Sequence, residues 1–210
     1  GLLQDMALGG GWTAEFRNQI VRSAISLGRK FDFDESHSRN VAELARKLFQ
    51  QFQHEHLLDN RHEVILFVAA LLHEIGLIVN VKSNHKHALY LIRHSELFGL
   101  SEGELLQVGL VARYHRRAFP QPSHVDYGSL SQEDRVTVSK LAALLRLAIA
   151  LDDTRSGRIL EIEGVNDGQQ LVINVPGVDD VSLEQIAMRE NAGLFRDIFG
   201  IPVLLRARRS

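Results

Sequence analysis

The sequence contains no cysteine, and it has only 4 prolines, 2 methionines and 1 tryptophan. Without cysteine, disulfide bonds and thiolate metal sites are excluded, so a metal ion would need histidine and carboxylate ligands. An excess of one charge is also missing, because 24 Lys and Arg nearly balance 26 Asp and Glu, for a net charge of −2. No strong overall field draws such a chain to nucleic acid or to an anionic membrane, and we expect neither as a partner.

Long apolar runs are absent as well. The longest uninterrupted one covers residues 64–72, far short of the roughly 20 residues that a helix needs to span a bilayer. The first residues do not show the basic stretch followed by an apolar one that is typical of a signal peptide. We therefore expect a cytoplasmic protein. Because the chain starts with Gly1 rather than Met, we also expect a trimmed or partial chain.

What the sequence does contain is the composition of an ordinary globular protein, 45% hydrophobic and 24% charged. Up to about residue 152, apolar residues recur at helical spacing between residues that can cap a helix start. The helices that this pattern predicts cover residues 12–29, 36–52 (capped by Asp34 or Ser36), 60–76, 83–93, 101–116 and 131–152.

The third of these helices is apolar on all sides and is therefore expected to be central. Asn60 and Glu63 have the spacing of a capping box at its start, and Gly76 is expected to end it as a C-terminal cap. The predicted helices thus form one bundle around a buried helix.

After Gly157 the pattern changes to short runs rich in Ile, Val and Leu. Strands are predicted over 158–163, 171–175 and 203–207, with a hairpin turn at Asn166-Asp167-Gly168 and a helix that starts at Ser182. The predicted fold class is mainly α with a small α+β tail. The predicted division is a leading segment and first helix (1–30), a helical domain (31–156) and a small ββαβ domain (157–210).

The chain has ten histidines, and their positions matter more than their number. His37 lies at the start of the second predicted helix, His73 and Glu74 in the last turn of the third, and Asp152 near the end of the longest. Polar residues at the ends of packed helices can converge at one mouth of a bundle. Imidazole and carboxylate together suit a divalent metal such as Mn, Mg, Zn or Fe, and such a metal can activate water to attack a phosphate ester.

A second set of candidate residues is basic and comprises His85, Lys86, His87, Arg113, His115, Arg116 and Arg117. Three interpretations remain open for it: ligands of a second metal, contacts to phosphate near a helix start with free N–H groups, or an ordinary solvated face. For His37, His73, Glu74 and Asp152, the alternative to a metal site is a buried polar network that only holds helix ends together. The basic end of the chain, with Arg206, Arg208 and Arg209, is either a solvated tail or a contact to polyanion.

The order of the metal candidates, His37, then His73-Glu74, then Asp152, resembles the H…HD…D pattern of HD-type phosphohydrolases, with Glu in place of the usual Asp. Four motifs make the resemblance narrower: "LLHEIG" (71–76), "NHKHALYLIRHSELFGLS" (84–101), "VARYHRR" (111–117) and "LAALLRLAIALD" (141–152). Together they resemble the HD-type region of Ppx/GppA exopolyphosphatases and guanosine-pentaphosphate phosphohydrolases. The opening "GLLQDM" (1–6) and the ββαβ tail also fit that family.

The resemblance implies that the parent protein hydrolyses a phosphoric anhydride. In that family the reaction is carried out by N-terminal actin-like domains, which this sequence does not contain. We therefore expect a C-terminal region that binds polyphosphate or a phosphorylated nucleotide and forms a homodimer. One alternative is an autonomous HD-type metal-dependent phosphohydrolase acting on a nucleotide or other phosphoester. Another is a pure dimerisation module, which would show a concentration-dependent mass but neither metal nor phosphate affinity.

Overall fold

The structure is a computed structural model that describes residues 13–208. Its helices are α1 (Ala14–Lys30), α2 (Glu35–Gln51), α3 (Gln53–His56), α4 (Asn60–Leu72), α5 (Asn84–Arg93), α6 (Glu102–Arg113), α7 (Val125–Gly128), α8 (Gln132–Leu151), α9 (Ser182–Asn191) and α10 (Gly193–Phe199). A 3-10 helix, Ile75–Ile78, follows α4, and the strands are β1 (Glu163–Asn166), β2 (Leu171–Pro176) and β3 (Val203–Arg208). The predicted fold class, mainly α with a small α+β tail, is confirmed. The motif at 1–6 and Arg209 lie outside the described residues.

Helix α4 is the central helix, as its all-round apolar surface predicted. It packs against α1, α2, α6 and α8, and its residues from Glu63 to Leu72 are buried except Phe67, which is partly exposed. The predicted capping box was wrong, because the cap is Asp59, whose side chain accepts hydrogen bonds from the N–H groups of Arg61 and His62. Asp34, Ser101 and Ser131 do cap α2, α6 and α8. These caps satisfy backbone donors that have no partner within the helix.

The prediction that α4 continues to Gly76 was also wrong. The helix ends at Leu72, and Gly76 lies inside the 3-10 helix without the positive φ of a glycine cap. Its role is close packing: a Cβ at this position would lie 2.0 Å from the carbonyl oxygen of Asn84, at the start of α5. Only glycine therefore allows the 3-10 helix that follows α4 and the start of α5 to approach this closely.

The small sheet has the order β1-β2-β3. β1 pairs antiparallel with β2, and β2 pairs parallel with β3 across a connection formed by α9 and α10. The predicted hairpin turn is confirmed, with Gly168 at a φ of +85° and the Asp167 side chain accepting from the N–H groups of Gln169 and Gln170. The tail is thus a ββαβ unit in which two short helices replace the single predicted one.

The first predicted strand, 158–163, was misplaced, because β1 begins only at Glu163. The run that precedes it is apolar for another reason. Ile159 and Ile162 are buried in the hydrophobic core, while no strand within residues 13–208 pairs with this segment. The two buried residues are three positions apart, and a short apolar run of this kind does not by itself show whether the segment pairs as a strand.

One hydrophobic core contains residues from the helical bundle and from the ββαβ tail, including Ile159, Ile173 and Leu205. Both α9 and α10 pack against α8. The division at residue 156 and the HD-type character of the bundle stay predictions. None of the helices between residues 13 and 208 is long and apolar enough to cross a bilayer.

The packing of Gly76 generates a stability prediction. We expect Gly76→Ala to lower the free energy of unfolding by roughly 3 kcal/mol, the upper end of the usual cost of overpacking, because the new methyl group meets backbone rather than a movable side chain. Urea denaturation followed by circular dichroism measures this change. Gly103→Ala is the matched control, because a Cβ there meets nothing within 4 Å, and it should leave stability unchanged or raise it by up to about 1 kcal/mol. Equal effects of the two substitutions would contradict the packing explanation.

Candidate functional site

Three of the predicted metal-site residues lie together. His37 stands in the first turn of α2, and His73 and Glu74 follow the end of α4, so the packing of these two helices brings them to one place. One ligand atom from each of the three lies within 4.8 Å of the other two. We refer to His37, His73 and Glu74 as the metal group.

Hydrogen bonds fix both imidazoles of the metal group. The Nδ1 atom of His73 lies 2.6 Å from the carbonyl oxygen of Ala70, and that of His37 lies 2.8 Å from Oδ2 of Asp152. Because a carbonyl or carboxylate oxygen accepts, each Nδ1 carries the hydrogen, which leaves the Nε2 lone pair of each ring free. This is the arrangement of histidines that bind metal ions.

Two buried polar atoms of the metal group lack a hydrogen-bond partner among residues 13–208: Nε2 of His73 and Oε2 of Glu74. Buried polar atoms normally find partners, so these two indicate a place for a further group. An imidazole nitrogen and a carboxylate oxygen are suitable ligands for a divalent cation, and the residues present therefore fit a metal ion.

Asp152 does not lie in the metal group but behind it. Its Oδ2 accepts from His37, and its Oδ1 accepts from the N–H group of Gly157 at 3.0 Å. Both carboxylate oxygens are therefore engaged. The structure thus brings Asp152 to the site as the residue that orients His37.

The protonation states of His73 and Glu74 suit a cation. Burial lowers the pKa of His73 to about 4, although the nearby Glu74 acts in the opposite direction. Burial alone would raise the pKa of Glu74, but its electrostatic interaction with His73 and the hydrogen bond from Arg155 bring it below its ordinary value. A neutral imidazole and an ionised carboxylate at neutral pH are the states that metal binding requires.

Arg155 is a site residue that sequence reasoning missed. Its Nη2 lies 2.5 Å from Oε1 of Glu74, and its Nη1 lies 3.4 Å from Oδ2 of Asp34. It follows Asp152 in the turn after α8, and its φ of +53° is unusual for a residue with a side chain. No residue pattern marks this arginine; only the folded turn brings it to Glu74.

His115 was predicted with the basic residues, but the structure buries it beside His73. The two rings are 5.1 Å apart and nearly perpendicular. The Nδ1 atom of His115 lies 2.6 Å from the carbonyl oxygen of Ala112, the same three-residue step by which His73 contacts Ala70. Burial first, and then the neighbouring His73, lowers the pKa of His115 well below its ordinary value.

Next to this buried histidine lies a small cavity of about 280 Å³, which we call the basic cavity. The side chains that line it come from the start of α5, the end of α6 and the following loop: His85, Lys86, Arg113, Tyr114, Arg116, Ala118 and His124. Arg117 is exposed beside it, whereas His87 is not among the lining residues. His124, which the sequence did not single out, contacts the hydroxyl of Tyr114 at 2.7 Å.

Positive charge converges on His85. Burial, followed by the charges of Arg113, Arg116, Arg117 and Lys86, lowers its pKa to about 4. Among residues 13–208, no carboxylate lies within ion-pair distance of these four cations. Such a cluster repels itself unless an anion is present, so the basic cavity is suited to an anionic ligand.

The start of α5 contributes further donors to the basic cavity. Ser83 precedes the helix but makes no side-chain cap bond. The fully buried Asn84 accepts a hydrogen bond from Arg116 at 3.5 Å, while its own Nδ2 has no partner within the described part of the chain. Free donors at a helix N-terminus favour negative charge, here beside the unpaired cations.

Arg146 is a second residue that the sequence analysis overlooked. It is buried in α8, and it donates to the carbonyl oxygens of Tyr114 at 2.7 Å, Ala118 at 3.0 Å and Arg117 at 3.1 Å. Burial lowers its pKa to about 10. Arg146 thereby holds the loop that carries the basic residues. The sequence could have indicated a special role for Arg146, because it is the one charged residue in the apolar run 141–151.

The comparisons with known proteins agree with this architecture. The family model described as Ppx/GppA phosphatase, domain III matches residues 21–188. The chain belongs to the Ppx/GppA phosphatase, domain III family.

Among curated proteins, the chain is similar to the guanosine-5'-triphosphate,3'-diphosphate pyrophosphatase of Vibrio vulnificus, with 26% identity over 203 residues that cover 93% of this chain and 39% of the relative. It is also similar to the protein of the same name from Vibrio parahaemolyticus, with 26% identity over 160 residues that cover 74% of this chain and 31% of the relative. The chain thus spans well under half the length of the curated relatives it matches.

The charge around His85 generates a pH prediction. We expect its imidazole to titrate near pH 4, in an NMR titration of the histidine ring nitrogens. Because the folded pKa lies below the unfolded value of about 6.5, neutral His85 contributes stability that is complete above pH of about 6.5 and is lost as the pH falls towards 4.

The same titration tests the cause of this shift. Arg113→Gln should raise the pKa of His85, because it removes one of the neighbouring charges. The control is Arg22→Gln, whose arginine pairs with Glu15 on α1 and whose loss should leave His85 unchanged. A His85 that titrates near 6.5 in the unaltered chain would contradict the described cavity.

Proposed function

We propose that this chain is the C-terminal region of an exopolyphosphatase-type phosphohydrolase, and that it binds polyphosphate or guanosine pentaphosphate and forms a homodimer. Other domains of the parent protein would hydrolyse the terminal phosphate. The observation that carries the proposal is the cluster of cations around His85, which have no carboxylate partner in the described part of the chain. The names of the Vibrio relatives, which refer to a phosphorylated guanosine nucleotide, support an anionic phosphate ligand.

Phosphate chains match this cavity in charge. Each phosphate unit carries negative charge, and arginine presents several N–H donors that engage phosphate oxygens in pairs. Because Arg146 anchors the backbone of the loop, Arg116 and Arg117 are held in place before the ligand arrives. Preorganisation of this kind reduces the entropy lost on binding.

Binding of polyphosphate to the 210-residue chain tests the proposal. We expect an affinity that falls steeply with salt, because a polyanion held by many charges releases counterions, as nucleic acids do. Replacing Arg113 and Arg116 together by Gln should weaken binding at low salt by roughly tenfold or more and make the slope of log Kd against log salt concentration shallower. Fluorescence anisotropy with labelled polyphosphate over a salt series measures both quantities.

The matched control is Arg22→Gln with Arg46→Gln, which removes the same amount of charge from arginines paired with Glu15 and Glu43. This variant should bind like the unaltered chain. Equal weakening by both double variants would show only a non-specific effect of net charge. Absence of polyphosphate binding, together with a concentration-dependent mass by light scattering, would instead favour a pure dimerisation module.

A second candidate function is favoured by the unpartnered atoms of the metal group. In this alternative the chain is an autonomous phosphohydrolase, in which His37, His73 and Glu74 hold a divalent metal and Asp152 orients His37. The metal would supply Lewis-acid chemistry, the activation of water for attack on a phosphoester. The residues of the basic cavity would bind and orient the substrate phosphate.

Elemental analysis of the purified chain, before and after chelation, tests this second candidate. We expect close to one divalent metal ion per chain after incubation with manganese or zinc, and its loss in His73→Ala because that ring supplies an unpartnered nitrogen. Glu74→Gln serves as the isosteric second variant and should also lose most of the metal. Unchanged phosphoester hydrolysis in a folded His73→Ala chain would reject the autonomous enzyme.

A further inference from the structure

The carboxylate of Glu74 has two different surroundings. Its Oε2 is buried, without a hydrogen-bond partner among the described residues, and the residue is one of the three in the metal group. Its Oε1 lies 2.5 Å from Nη2 of Arg155 and forms an ion pair with it. A cation supplied by the chain itself therefore already neutralises the carboxylate on which a metal ion would depend.

The backbone around Arg155 is held in place by the same aspartate that orients His37. The N–H group of Arg155 donates to the carbonyl oxygen of Asp152 at 2.9 Å, and the Asp152 side chain accepts from the N–H of Gly157 at 3.0 Å. The turn from 152 to 157 thus carries both the anion that orients one imidazole and the cation that engages Glu74. The turn holds Arg155 in a left-handed backbone conformation, which costs energy for a residue with a Cβ. Such a conformation persists only where the surrounding structure fixes it, so the position of Arg155 is set by the turn.

We propose that Arg155 is an internal cation that occupies Glu74 in the metal-free chain and has to leave it when a divalent metal binds at His37, His73 and Glu74. The inference rests on the second candidate function, because it needs the metal group to bind metal. Two cations compete here for one carboxylate: a metal ion draws electron density from Oε2 and weakens Oε1 as an acceptor, and it repels the guanidinium through their like charges.

A second acidic partner provides a place for the displaced guanidinium. Nη1 of Arg155 is 3.4 Å from Oδ2 of Asp34, at the start of α2. The side chains of Arg155 and Asp34 are 44% and 45% exposed, whereas that of Glu74 is only 12% exposed. The arginine can therefore move towards Asp34 and solvent without breaking the core, while Glu74 stays fixed.

The test is the affinity of the 210-residue chain for Mn²⁺ alone, measured by isothermal titration calorimetry. We expect Arg155→Gln to bind Mn²⁺ about tenfold more tightly than the unaltered chain. A tenfold change corresponds to about 1.4 kcal/mol, which lies between the values typical of exposed and of buried ion pairs. The affinity of Arg155→Lys for Mn²⁺ should lie between these two values, because lysine keeps the charge but loses the planar donor pair.

Arg46→Gln is the matched control, because it removes the same charge from an exposed pair with Glu43 on α2 and should leave Mn²⁺ affinity unchanged. In a chain that already carries Glu74→Gln, Arg155→Gln should no longer raise the affinity for Mn²⁺, since the carboxylate for which the two cations compete is then absent. Circular dichroism verifies that each variant is folded, and Arg155→Lys supplies the answer if Arg155→Gln does not fold.

The outcomes separate this inference from the proposals on which it builds. Equal Mn²⁺ affinity of the unaltered chain and of Arg155→Gln would overturn the competition while leaving the metal group intact. An equal rise in Mn²⁺ affinity in Arg46→Gln would show that only the net charge matters, and it would overturn the competition as well. No Mn²⁺ binding by any variant would reject both the metal group and the competition, whereas polyphosphate binding at the basic cavity would be unaffected.

Discussion

The buried hydrogen bond between His37 and Asp152 is the contact on which the site depends. It joins the first turn of α2 to the end of α8, across 115 positions of the sequence. In the low dielectric of the core, both partners have to stay satisfied, so the bond holds the two helix ends in register. Because the same carboxylate also accepts from Gly157, it sets the course of the chain from the bundle towards the sheet.

Near this hydrogen bond, two groups of residues with opposite charge lie side by side. The metal group offers a carboxylate and free imidazole nitrogens, and the basic cavity offers unpaired cations. His115 lies between them, stacked edge-on against His73. Since burial lowers the pKa values of His73 and His115, the positive potential of the region resides on arginine and lysine, near solvent, where an anion can reach it.

Gly76 connects the two groups mechanically. It stands two residues after Glu74 and against the backbone of Asn84, whose neighbour His85 lines the basic cavity. The missing side chain lets the 3-10 helix after α4 touch the start of α5, so the distance between the metal group and the cavity is set by a backbone contact. Backbone contacts are stiff, because neither side can adopt another rotamer.

Much of the helical bundle was predictable from the sequence, because apolar spacing and capping residues such as Ser101 act locally. The order His37, His73-Glu74, Asp152 likewise singled out four side chains that the structure places close together, while their binding of a metal stays a prediction. The sequence did not predict that Asp152 lies behind His37, that His115 is buried beside His73, or that the run 158–162 is extended but unpaired. Arg155 and Arg146 were missed because their partners, Glu74 and the carbonyl oxygens after α6, are distant in the sequence.

The sequence by itself therefore determined the longer helices of the bundle, the turn at Asn166-Asp167-Gly168 and the types of residue available for chemistry. Local propensity and side-chain type are properties of neighbouring residues and need no knowledge of the fold. Only the tertiary structure decided which charges are paired, which donors remain free and which histidines are neutral. Pairing and burial depend on what other segments bring to the same place, and that information exists only once the chain has folded.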